Sequence, residues 1–163
     1  MKDNYLVLNG KRIDLTEEQL KTLGIELYNN YFEINYGDVY YYINSYGEID
    51  VARENCLLID NDRYNAGNYC KNKELIEQIA LHETLNRLLW RFSMQNDGYK
   101  IDWNNFNINK YYVYYDNESN SLHISSSSCC KQQSIYFYTK EVAQRAINEI
   151  IIPFIEEHPE FTW

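Results

Sequence analysis

Short runs of alternating apolar and polar residues dominate this chain, and they predict β-hairpins interrupted by helices. Tyr5-Leu6-Val7-Leu8 and Lys11-Arg12-Ile13-Asp14-Leu15 flank Asn9-Gly10, a pair suited to a two-residue type I′ turn because both turn residues need positive φ. Thr16-Glu17-Glu18-Gln19 is a capping box, with Thr16 as N-cap and Gln19 reaching back. Gly24 then ends a short helix, with Ile25 as the apolar contact behind it. Residues 26–62 read as mostly extended. Val39-Tyr40-Tyr41-Tyr42-Ile43 is a strand by aromatic and β-branched content, Asn44-Ser45-Tyr46-Gly47 a turn, and Glu48 to Arg53 a second strand with period-two alternation. A loop over residues 60–68 comes next. Asn72 caps a long helix from Lys73 to about Gln95, stopped by Asn96-Asp97-Gly98.

The last third repeats that order. Strands at Tyr111–Tyr115 and Ser121–Ser127 surround the turn at residues 116–120, and a third strand, Ser134–Tyr138, leads into a helix capped by Thr139. Val142, Ala143, Ala146, Ile147, Ile150, Ile151 and Phe154 form one helical stripe, which packs that helix on a sheet. Tyr69-Cys70-Lys71-Asn72-Lys73-Glu74 lies over Tyr136-Phe137-Tyr138-Thr139-Lys140-Glu141 at a fixed offset of 67. The expected fold is therefore α+β: antiparallel hairpins with two main helices packed on sheet. Its organisation is an N-terminal ββα unit (1–25) and two strand–strand–helix modules (26–98 and 99–163), forming one compact domain. Hairpins before helices are common in α+β proteins, so the overlay is also open to a chance reading.

With 163 residues, of which 45% are apolar, the chain is long enough to bury a core without metals or disulfides. No apolar stretch approaches the ~20 residues of a membrane span, and residues 1–4 lack the apolar run of a secretory signal. These features predict a cytoplasmic protein. Four cysteines (Cys56, Cys70, Cys129, Cys130) are read as free, buried thiols. Tyrosine is abundant, with 17 copies, but Tyr, Asn, Ile and Lys share AT-rich codons, which weakens any argument from abundance alone.

Candidate chemistry falls away on inspection. His82-Glu83 opens a zinc-helix pattern, but Asn86 stands where the second histidine belongs. No cysteine pair has zinc spacing. Asp60, Asp62 and Tyr64 begin like a calcium loop, yet Asn65 replaces its glycine and Lys71 its final glutamate. No phosphate loop, nucleophile elbow or Cys-x-x-Cys is present. No cofactor or metal is expected, and no motif nominates an enzyme.

Charge changes the picture. The net charge is −9, and it is concentrated: residues 26–62 hold eight acids against Arg53 alone. Glu48, Asp50 and Glu54 share a face of a regular strand, with alternate residues about 6.6–6.8 Å apart, similar to neighbouring phosphates. Together with Asp60 and Asp62 they form a candidate partner-binding surface that imitates a polynucleotide and occupies a basic groove. The plainer reading of the same row is a solvated sheet face. A rival site for nucleic acid consists of Lys71, Lys73, Arg87 and Arg91 with the paired rings of Tyr112 and Tyr114. Tyr40/Tyr42 and Tyr136/Tyr138 are similar pairs, and such rings also serve as ordinary core. Direct nucleic-acid binding ranks below binding to a protein.

Three segments carry a resemblance: Leu8-Asn9-Gly10-Lys11…Leu15-Thr16-Glu17-Glu18-Gln19, Arg63-Tyr64…Gly67-Asn68-Tyr69, and Pro153-Phe154-Ile155-Glu156-Glu157-His158-Pro159-Glu160-Phe161. In these the chain resembles small prophage and mobile-element proteins of AT-rich bacteria, a group that includes anti-CRISPR and other counter-defence inhibitors. The resemblance implies a non-enzymatic inhibitor in the host cytoplasm whose partner is a host or defence protein such as a CRISPR effector. It carries over no functional residue and sets no oligomeric state.

Overall fold

The computed structural model describes residues 5–8, 10–23, 31–33 and 35–163. By its contacts the chain divides into two compact units, Met1–Ile34 and Asn35–Trp163.

In the first unit, β1 (Tyr5–Leu8) and β2 (Lys11–Asp14) pair antiparallel, with Leu8 opposite Lys11. Gly10 has φ +77°, the left-handed value a two-residue hairpin demands. The short helix α1 (Glu17–Thr22) opens on the expected reciprocal cap: Gln19 N–H donates to Thr16 Oγ1 at 3.2 Å, and Thr16 N–H to Gln19 Oε1 at 2.8 Å. The stop expected at Gly24 and Ile25 lies outside the described residues, as does part of the extended stretch expected from residue 26.

The second unit is α+β, built from hairpins that each run into a helix. β3 (Val39–Ile43) pairs with β4 (Ile49–Arg53), and β5 (Lys110–Asp116) with β6 (Ser121–Ser127), both antiparallel. Between the hairpins come α2 (Leu58–Asn65), the 23-residue α3 (Lys73–Gln95) and a 3₁₀ turn at Gly98–Lys100. The chain ends in α4 (Lys140–Ala146), a π turn at Ile147–Ile151, and α5 (Ile152–Glu157). Pro153 sits in the first turn of α5, where it has no N–H to give to the helical ladder. The wider π turn lies directly before it.

The two approaches to the helices α3 and α4 share a bridge and a cap, although α2 precedes only the first. Tyr41 and Cys70 exchange both backbone hydrogen bonds, at 2.7 and 3.0 Å, and Tyr111 and Phe137 do the same at 3.1 and 2.7 Å. Two residues after each bridge stands the helix cap. Asn72 Oδ1 accepts from Leu75 N–H at 2.7 Å, and Thr139 Oγ1 from Val142 N–H at 3.3 Å. Phe137, Ala143, Ala146, Ile147, Ile151 and Phe154 close a core with Leu85, Leu89 and Phe92 of α3. The predicted stripe thus faces inward, with Val142 and Ile150 at its margin.

Three expectations need correction. The supposed loop at residues 60–68 is helical through Asn65. Asp60, in the first turn of α2, folds back to accept from Leu57 N–H at 3.1 Å and Asn55 N–H at 3.1 Å, a cap supplied from inside the helix. The supposed strand at 134–138 reduces to the single bridge at Phe137, with the chain bent at Gln133 and Ser134 before it. The thiols are free, but only Cys70 is buried; Cys56, Cys129 and Cys130 are exposed.

Candidate functional site

The acidic row is where sequence and structure part. Glu48, Asp50 and Glu54 do alternate onto the face of the β3–β4 hairpin that also carries Tyr40 and Tyr42. That face is roofed by α2 and Tyr69. Glu54 is only 1% exposed and Asp60 only 3%, so neither presents charge to a partner. Glu54 Oε1 accepts from Cys56 N–H at 2.6 Å, closing the turn in which Cys56 takes φ +56°. Tyr40 hydroxyl donates to Asp60 Oδ1 at 2.6 Å and accepts from Arg63 Nη1 at 2.7 Å, while the Arg63 guanidinium lies 3.5 Å over the Tyr42 ring. Tyr69 stacks on Tyr40 at 4.0 Å. The Tyr40 hydrogen bond, reinforced by the two N–H donors, holds the Asp60 carboxyl below its ordinary range against the opposing effect of burial. Burial, then the negative charge of Glu54, pushes the Tyr69 phenol up. Among the described residues neither Glu54 Oε2 nor Tyr69 hydroxyl finds a hydrogen-bond partner.

The other three acids remain outside. Asp50 accepts from Asn44 Nδ2 at 3.2 Å and Tyr42 hydroxyl at 3.3 Å, Glu48 from Asn44 Nδ2 at 3.4 Å, and Asp62 is exposed on α2. Of these, Glu48 borders a concave surface. There the β3–β4 turn, the middle of α3 and the chain after α5 enclose a groove of about 480 Å³. Its floor is Ile49, Ala80 and Leu81, and its rim carries the carboxylates of Glu48, Glu77 and Glu160. Glu77 is ion-paired with Lys73, Glu160 Oε1 lies 3.7 Å from His158 Nδ1, and Arg87 donates to the neighbouring Thr84 at 3.2 Å, so Glu48 is the rim carboxylate without a cationic partner among the described residues. Glu160 is fixed because Gln78 clamps its segment: Gln78 Nε2 donates to Glu160 O at 2.8 Å, and Thr162 N–H donates to Gln78 Oε1 at 3.0 Å. Tyr46, 87% exposed at the hairpin turn, stands beside the groove. Sequence reasoning missed Tyr46, Glu77 and Glu160 as a group because they come from three separate elements; the one local signal was a large aromatic in a turn.

The basic candidates do not assemble. Lys71 is ion-paired with Asp38, Lys73 with Glu77 at 3.0 Å and Arg87 with Glu83 at 3.1 Å. Lys73 and Arg87 sit fourteen positions apart on α3, roughly 21 Å at 1.5 Å per residue. Arg87 and Arg91 share a shallow surface with Tyr46 and Leu88. Tyr112 and Tyr114 lie elsewhere, in a ring series that runs from Trp103 through Tyr136, Tyr112 and Tyr114 to His123, with neighbouring centroids 4.7–6.4 Å apart.

A serine–histidine–aspartate group at the β5–β6 tip resembles a catalytic triad only in its members. Ser119 and Ser121 hydroxyls lie 3.0 and 2.8 Å from His123 Nε2, and Asp116 Oδ2 lies 3.9 Å from the same nitrogen. A relay needs the acid on the opposite ring nitrogen from the nucleophile. Ser119 instead donates to Asp116 at 2.8 Å, and that bond, more than the N–H of Glu118, draws the Asp116 carboxyl down. This is turn chemistry at an exposed tip. Among the described residues no three histidines, cysteines or carboxylates gather to hold a metal ion, and no helix is long and apolar enough to cross a membrane.

Comparison with known proteins gave no match to a family model, to a curated protein or to a solved structure.

Proposed function

We propose that this chain is an acidic binding protein that docks on the cationic surface of a nucleic-acid-handling partner and obstructs it, in the manner of a counter-defence inhibitor of a CRISPR effector. The observation that carries the reading is the groove between the β3–β4 turn, α3 and the segment after α5, whose apolar floor is bordered by Glu48, by Glu160 beside His158 and by Glu77, which a partner would have to share with Lys73. An arginine or lysine side chain suits this combination, because its aliphatic stem packs on Ile49 and Leu81 while its head meets carboxylates. The exposed ring of Tyr46 is the natural anchor. Burying about 120 Å² of it contributes about 3 kcal/mol at ~25 cal/mol/Å², more than the ~0.2–1 kcal/mol of one rim ion pair. The charge row first expected on β4 is replaced by this groove, and Glu48 is the one acid common to both.

The test is equilibrium binding to a purified CRISPR effector, with and without its guide RNA, at two salt concentrations. Binding should weaken with salt, compete with nucleic acid, and fall at least tenfold in Glu48→Lys/Glu160→Lys. Undiminished binding by that variant removes the groove from the reading. A direct gel shift of free nucleic acid by this protein, lost on Arg91→Glu, establishes the rival instead.

A further inference from the structure

We infer that the open edge of β5 at Val113 is a second docking site, which takes an uncharged, extended peptide segment of a partner protein as an added strand. The two hairpins treat the same edge differently. In an antiparallel ladder the N–H and C=O groups of alternate residues turn to the same side. The Tyr41–Cys70 bridge therefore places the N–H and C=O of Ile43 on the edge of β3 away from β4. They are not left open: Ile43 N–H donates to Asn68 Oδ1 at 2.6 Å, and Asn68 Nδ2 donates to Ile43 O at 2.7 Å. One side-chain carboxamide thus takes the place that the backbone of a third strand would fill.

The second hairpin lacks that plug. The Tyr111–Phe137 bridge turns the N–H and C=O of Val113 and Tyr115 to the corresponding edge. Counting back from each bridge, the position of Asn68 is held by Ile135, which has no polar side-chain group to offer. Among the described residues neither Val113 nor Tyr115 has a backbone hydrogen-bond partner on that side. A cavity of about 320 Å³ lies against Val113, between β5, α3, residues 132–135 and the rings of Phe161 and Trp163, the last of which packs beside Tyr115, at the small end of ligand-site volumes (roughly 300–1,000 Å³). An unpaired strand edge is a template for another strand. Leu85 and Leu89 supply apolar floor and His82 and Asn86 polar wall, and the described residues lining the cavity include no aspartate, glutamate, lysine or arginine. That lining selects a neutral segment, and Asn68 shows in the first hairpin that an amide fits the slot.

The site is tested by tracking the Val113 and Tyr115 amides of the ¹⁵N-labelled full chain by NMR. The probe is a pool of blocked hexapeptides randomised over Ala, Ser, Thr, Val, Leu, Asn and Gln. The expected result is saturable shifts at these two amides, at least tenfold weaker binding by the same pool N-methylated at alternate residues, and no response in Ile135→Asn, which installs the missing plug. In the free protein the Ile43 amide should exchange with solvent at least tenfold more slowly than that of Val113. Since Ile135 packs on the core, the N-methylated pool on the unaltered chain decides the matter if Ile135→Asn does not fold. Absence of shifts at Val113 and Tyr115, or equal binding of both pools, overturns the inference. Shifts that grow with protein concentration alone also overturn it, in favour of self-pairing of two copies.

Discussion

Asp60 and Asp62 are two residues apart on α2 and look interchangeable in sequence, yet the structure gives them opposite tasks. Replacing Asp60 with alanine leaves Tyr40 hydroxyl and the N–H groups of Asn55 and Leu57 without their acceptor. It also leaves Arg63 beside an uncharged site. A hydrogen bond to a charged group contributes about 1.5–3 kcal/mol, but three that share one carboxylate do not add. The cost of breaking a buried ionic network, about 3–5 kcal/mol, is the better guide. For a chain of this size that corresponds to a fall in Tm of roughly 6–20 °C. Asp60→Asn keeps the shape and one acceptor oxygen and should lose about half as much. Asp62→Ala should leave the midpoint unchanged. Urea unfolding monitored by far-UV circular dichroism measures all three. If Asp60→Ala matches Asp62→Ala within error, then Asp60 is a surface charge and the account of the roofed hairpin face is wrong.

The same geometry sets the remaining outcomes. The Asp60 and Asp38 carboxyls are both held below their unfolded range, Asp38 chiefly by its hydrogen bond to Lys71. Their stabilisation is therefore complete above the unfolded pKa, about 3.9, and is lost as pH falls through the lower folded values. The stability gap between the unaltered chain and Asp60→Asn should accordingly narrow below about pH 4 in urea titrations. Gly98→Ala should destabilise by about 1–3 kcal/mol through overpacking. A Cβ there would stand 2.3 Å from Ser93 Oγ and 2.7 Å from Ser93 O, and Ser93 Oγ is already committed to Tyr136 O at 2.6 Å; differential scanning calorimetry reads the loss. Asn68→Ala should cost about 1–3 kcal/mol by orphaning Ile43 N–H and C=O, and should raise hydrogen exchange at Ile43 selectively.

Elements whose signals are local were legible in the sequence. The two-residue connection between Leu8 and Lys11, the reciprocal cap at Thr16 and Gln19, and the caps at Asn72 and Thr139 each depend on residues within a few positions of one another. The apolar stripe from Val142 to Phe154 was equally plain, since one helix face has a fixed period. Helix α2 was hidden because what holds it is distant: Tyr40 grips Asp60 and Arg63 from a strand twenty residues earlier. The burial of Glu54 was hidden for a related reason. Alternation assigns a carboxylate to a face, but only the placement of α2 and Tyr69 decides whether that face meets water.

Among the described residues, the acidity of the 26–62 stretch is divided between the fold and the surface, with Glu48, Asp50 and Asp62 exposed. Glu54 and Asp60 are spent inside the first hairpin module, where they fix the Cys56 turn and the start of α2, and Asp38 is neutralised by Lys71. The acids left facing a concave surface come from the β3–β4 turn, α3 and the segment after α5. Both modules make the same bridge and cap, yet they differ at the free strand edge. The first has a helix and a side-chain amide laid over its strands; the second has an isoleucine where that amide stands. The same bridge and cap thus support two different edges: Asn68 pairs with Ile43 on the first, and Ile135, with no polar side-chain group, stands at the matching position of the second.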